Sequence, residues 1–84
     1  MKLSVKSLTF TAALIWGVCF LFVSALNFLT PPYGQSFLEV MSSVYPGYKA
    51  VGTGGSVVIG TLYALLDGAV GGFLFGVIYN RFAD

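Results

Sequence analysis

Only seven of the 84 residues are charged, four Lys or Arg against three Asp or Glu, while 57 % are apolar. A soluble domain carries about 25 % charged residues, and a water-soluble chain this short hides little of its surface and usually needs disulfides or a metal. One cysteine and no histidine exclude disulfide frameworks and ordinary zinc sites within one chain, and a net charge of +1 without a basic patch excludes nucleic acid as a partner.

The first element is an uncharged run from Ser7 to Thr30. At ~1.5 Å per residue such a run reaches across the ~30 Å hydrocarbon core of a bilayer, which predicts a transmembrane helix over about 8–29. Met1, Lys2 and Lys6 before an apolar stretch that ends in Val23-Ser24-Ala25 also have the outline of a signal peptide. The apolar run is longer than the usual ~7–15 residues, so a retained span is expected. Cys19 is expected to be a small packing residue, because bulky Trp16 and Val18 precede it where a lipoprotein site uses small ones.

Thr30-Pro31-Pro32 ends this helix, since proline lacks the amide donor and restricts its neighbour. Ser36-Phe37-Leu38-Glu39 then has the pattern of a capping box. Phe37, Leu38, Met41, Val44 and Tyr45 share one helical face, and Pro46-Gly47 closes the segment. Residues 36–45 are too few to span, and the expectation is an amphipathic helix lying in the membrane interface, with a plain loop as the alternative. Tyr33, Tyr45, Pro46, Gly47 and Tyr48 form the interfacial set, the tyrosines suiting the headgroup belt.

The second long run predicts a span over about 56–79, although it contains Asp67. Twelve Leu, Ile, Val and Phe residues lie between Val57 and Ile78. They contribute roughly −4 to −7 kcal/mol of insertion free energy against about +3 for a central Asp, so insertion wins. Every fourth residue from Gly52 is small: Gly52, Ser56, Gly60, Ala64, Gly68, Gly72 and Gly76, with Gly71 widening the ladder. Helices in lipid associate through such close-approach surfaces. The first span offers Thr9, Ala13 and Gly17 at matching spacing. A four-residue ladder drifts around a helix of 3.6 residues per turn, so one neighbour is expected to leave part of it bare for a second contact. That contact would be self-association or docking on a larger membrane protein; the simpler alternative is a seam within the hairpin. Asp67, with Tyr63 and Trp16 as candidate hydrogen-bond donors at similar depth, is read three ways: a structural pin, a docking contact to a basic or amide group, or a proton or ion relay.

The chain therefore reads as a single all-α membrane domain over 1–84, a two-helix hairpin with a short helix in its connection. Lys2, Lys6 and Arg81 flank the outer ends while Lys49 stands alone in the connection, which predicts cytoplasmic termini. Short hairpins with a glycine-rich helix and a buried acid also build rotor rings, but those carry glycines and acid on different helices. A different resemblance rests on the basic start through Lys6, Ile15-Trp16-Gly17, Tyr45-Pro46-Gly47-Tyr48, Asp67-Gly68 with Gly71-Gly72, and Tyr79-Asn80. In these the chain resembles a group of small two-span bacterial inner-membrane proteins of unknown function, some labelled phage-holin-like. The resemblance implies that the Tyr-Pro-Gly-Tyr and Asp-Gly motifs matter; it implies no reaction. With no nucleophile–base pair, carboxylate cluster or phosphate loop, neither an enzyme nor a cofactor is expected. An accessory subunit docking through its glycine-rich face is the first expectation. A holin-like or pore-forming homo-oligomer with Asp67 at the helix interface is the second, and the sparse polar residues Thr9, Ser24 and Asn27 argue against a wide pore.

Overall fold

In a computed structural model, residues 2–50 and 53–83 are described, and they form three helices and no strand. The Gly52 start of the ladder lies outside the described residues. Helix α1 runs Val5–Leu29, α2 Gln35–Val44 and α3 Gly54–Phe82. The two long helices extend beyond the expected limits, α1 at its outer end and α3 at both ends, and serine and threonine caps start them early. Ser4 Oγ accepts from the Ser7 amide at 3.2 Å, and Thr53 Oγ1 from the Ser56 amide at 3.1 Å. At ~1.5 Å per residue α1 and α3 are about 37 and 43 Å long, filling the 48 Å long axis of a molecule 19 × 18 Å in section.

Helices α1 and α3 pack antiparallel along their full length. Asn80 ties the lower end: its Oδ1 accepts from the Leu3 amide at 2.7 Å and its Nδ2 donates to the Leu3 carbonyl at 2.8 Å. Both helices are long and apolar enough to cross a membrane, and only 22 % of each one's most apolar stretch is buried within the chain. Phe10 and Leu66, for example, stand 61 % and 63 % exposed. The core helix of a soluble protein would have the reverse pattern.

The helix in the connection is present, but two details differ from expectation. Gly34, at φ +66°, opens α2 at Gln35, so Ser36 is already helical and no capping box forms. Glu39 instead accepts from the Gln35 amide group at 3.3 Å. The apolar face of α2 is also turned onto the hairpin: Leu38, Met41 and the following Tyr45 are 2 %, 8 % and 3 % exposed, while Val44 points outward.

The connection is clasped to the hairpin at its upper end. Asn27, itself buried, donates to the Tyr33 carbonyl at 2.8 Å and to Gln35 Oε1 at 3.0 Å. Gln35 Nε2 donates onward to the Ala50 carbonyl at 2.9 Å, and Ser56 Oγ to the Lys49 carbonyl at 2.8 Å. Between these clasps the chain reverses at Tyr45-Pro46-Gly47-Tyr48, where the Tyr48 amide donates to the Tyr45 carbonyl at 3.1 Å and Gly47 takes φ +84°. Proline at the second position and a positive-φ glycine at the third are what a type II turn requires.

Candidate functional site

Two surfaces of α3 gather the residues singled out above, and they behave differently. The first is the ladder. Gly60, Ala64, Gly68, Gly72 and Gly76 are all buried. A Cβ on Gly68 would lie 2.5 Å from the Ala12 carbonyl oxygen and 2.9 Å from Ala13 Cα. On Gly72 it would lie 2.7 Å from Ala12 Cβ, and on Gly76 3.2 Å from side chains of Leu8 and Val5. Gly60 opens onto the rings of Phe20 and Tyr48, and Gly17 of α1 receives Leu65 in return.

Helix α1 covers the ladder from Ala64 to Gly76, and Tyr48 and the Lys49 carbonyl of the connection share the cover at Gly60 and Ser56. Gly71 is left bare, as the drift of the ladder predicts in part. Helix α1 follows the drift downward from Phe20 through Ala12 to Val5, and bulky Val5, Leu8 and Phe20 fill notches that Thr9, Ala13 and Gly17 alone could not. Gly71 is the exception: it is exposed, and a Cβ there would meet nothing within 4 Å.

The second surface is the polar cluster at the middle of α3. The expected direct bond from Trp16 or Tyr63 to Asp67 is replaced by a relay through the connection. Trp16 Nε1 donates to the Tyr45 hydroxyl at 3.0 Å, and that hydroxyl donates to Asp67 Oδ2 at 2.9 Å. The Tyr63 hydroxyl donates to the Pro46 carbonyl. Its ring stacks on Tyr45 with centroids 5.1 Å apart and planes 12° from parallel. Asp67 stands about 20 Å along α3 from Gly54, so the end of the connection reaches the middle of the hairpin.

Tyr45 and Tyr48, expected in the headgroup belt, are accordingly both 3 % exposed and buried among protein groups. The cause is packing: Tyr48 sets its ring against Phe20 at 5.6 Å and 71°, and Phe37 meets Trp16 edge-on at 6.0 Å. Tyr33, Pro46 and Gly47 lie on the outside. Burial pushes the Tyr45 hydroxyl above its ordinary value, the Trp16 bond opposes this, and the Asp67 carboxylate reinforces it. At neutral pH it is thus the neutral hydroxyl that donates to Asp67.

Asp67 itself is exposed, on the flank of the ladder. With Val44, Tyr45, Pro46, Tyr63, Leu66 and Val70 it borders a shallow open groove of about 250 Å³. Among the described residues no three His, Cys, Asp or Glu gather as metal ligands, and Cys19 is free and exposed.

Sequence reasoning missed Tyr45 as the partner of Asp67, and Asn27, Gln35 and Asn80 as clasps. The only signal was their polarity within or beside apolar runs. The chain matches no protein-family model, no curated protein and no solved structure.

Proposed function

We propose that this chain crosses a bacterial inner membrane twice, with both termini in the cytoplasm, and serves as a small accessory subunit packed against a larger membrane complex. The observation that carries this reading is the outer surface of the hairpin. Along the two long helices it is mostly apolar, and at mid-length of α3 it carries an exposed acid beside an uncovered glycine. Lipid suits the apolar faces, whereas an intramembrane acid belongs against protein. The ladder is occupied by α1 and the connection, so the docking contact is assigned to the side of α3 that bears Asp67 and Gly71. The orientation rests on Lys2, Lys6 and Arg81 against Lys49.

A holin-like pore finds less support. Ser24 and Asn27 are each 2 % exposed and Ser56 8 %, all turned into the hairpin, while Thr9 Oγ1 donates to its own helix at the Val5 carbonyl. Among the described residues of the two long helices, exposed Ser7 and Thr11 near one end of α1 do not make a continuous polar stripe to line water. The test is extraction of native membranes with carbonate at high pH, then native mass measurement in mild detergent. The chain is expected to stay in the membrane and to migrate with a heavier assembly. Release by carbonate would overturn the membrane reading, and a free monomer would overturn the accessory role. Loss of membrane potential on controlled expression would favour the pore.

A further inference from the structure

We propose that the outer side of α3 at Asp67 and Gly71 binds a transmembrane helix of a different protein that carries a lysine or arginine at the same depth. The inference rests on the two-span reading above and names the chemistry of the partner.

Asp67 has one hydrogen bond among the described residues, from the Tyr45 hydroxyl to Oδ2. A carboxylate has about four acceptor positions, so most of its capacity is open, and it is open on the exposed side. This chain brings no cation to it. Lys2, Lys6, Lys49 and Arg81 all lie near helix ends or in the connection, and Arg81 is 14 residues, about 21 Å, farther along α3. Lipid supplies neither a donor nor a counter-charge at that depth.

The surface beside the acid is shaped for a helix. Gly71, one turn on from Asp67, presents bare backbone with nothing within 4 Å of a Cβ position, and close approach of a second helix is what such a notch permits. Leu66, Val70 and Val44 wall the groove beside it with apolar surface, and Tyr63 lines it from the side of the connection. A second copy of this chain fits poorly. At the level of Asp67 it has only another carboxylate, and like charges repel at close range in a low-dielectric medium.

The experiment reconstitutes the full chain, labelled with a donor dye at its N-terminus, in phosphatidylcholine vesicles. Acceptor-labelled synthetic leucine–alanine helices of about 20 residues serve as probes. One carries a single central lysine, one is wholly apolar and one has a central aspartate. The lysine probe is expected to associate at least about 10-fold more tightly than the apolar one. D67N and G71L are each expected to abolish that preference. In D67N the amide oxygen still accepts from Tyr45, so Trp16 emission should be unchanged and report an intact fold. Equal binding of lysine and apolar probes, or full retention of the preference in D67N, would overturn the proposal. So would energy transfer between copies of the chain that depends on Asp67, which would make the partner a second copy. A chain that fails to float with the vesicles would instead sink the two-span reading.

Discussion

The two halves of the hairpin are joined in opposite ways. Below Asp67, α1 and α3 meet backbone to backbone: Gly68 and Gly72 sit against the Ala12 and Leu8 carbonyls, with nothing between. Above it the helices are spaced by rings, with Phe20, Tyr48, Tyr45 and Phe37 filling the gap and drawing the connecting helix in behind them. The lower half is held by close backbone packing, with the Leu3–Asn80 hydrogen bonds at its end, and its seam tolerates no added volume. The upper half is held by large removable side chains and a few hydrogen bonds, and it tolerates neither lost volume nor lost donors. In lipid, where burial of apolar groups gives helices no drive to associate, both devices reduce to close packing.

This contrast is open to attack by substitution. Gly68→Leu should do most damage, since its side chain must displace the α1 backbone. A loss of about 3 kcal/mol is expected, at the upper end for overpacking, read by unfolding the hairpin in mixed detergent micelles. Phe20→Ala empties the centre of the upper half. On the two-span proposal hydrocarbon surrounds the chain either way, so only the cavity part of the usual core penalty applies, about 2 kcal/mol in the same assay. If Gly68→Leu or Phe20→Ala left the stability of the hairpin unchanged, the comparison would be wrong.

Smaller effects sharpen it. Tyr45→Phe keeps the ring but removes both bonds of the Trp16–Tyr45–Asp67 relay. At ~0.6 kcal/mol per bond in a membrane the loss is about 1 kcal/mol, with a shift in Trp16 emission. Alkaline titration probes the same relay without mutation. The Tyr45 hydroxyl is raised in the folded chain above its ordinary 10.0, so its contribution is complete below pH 10.0 and disappears as pH climbs through the folded value. Burial raises the Tyr48 hydroxyl too, so phenolate absorbance should show two late-titrating tyrosines, of which Tyr45→Phe removes one. Last, Gly71→Leu should leave hairpin stability within about 0.5 kcal/mol of the parent, because that position faces open space. A loss comparable to Gly68→Leu would mean that α1 contacts the wrong side of α3.

Much of the fold was legible because its signals are local. The length of the apolar runs, the stop at Pro31-Pro32 and the reversal at Pro46-Gly47 each depend on a few adjacent residues, and the three helices lie within a few positions of expectation. The candidate site was legible only in part. Asp67, Tyr63, Trp16 and Tyr45 could be named from polarity and periodicity, yet their pairing was not, since Tyr45 reaches Asp67 across 22 positions of chain.

By itself the sequence determined which segments are helical and which α3 face is small, because hydropathy, turn chemistry and a four-residue repeat are written residue by residue. Tertiary structure alone decided that α1 covers the ladder from Ala64 to Gly76, that the apolar face of α2 turns inward, and that Tyr45 stands between Trp16 and Asp67. Those outcomes depend on the axial shift and crossing of two long helices. That shift is set jointly by the Leu3–Asn80 tie, the Asn27–Gln35 clasp and the fit of Phe20, none of which any single segment contains.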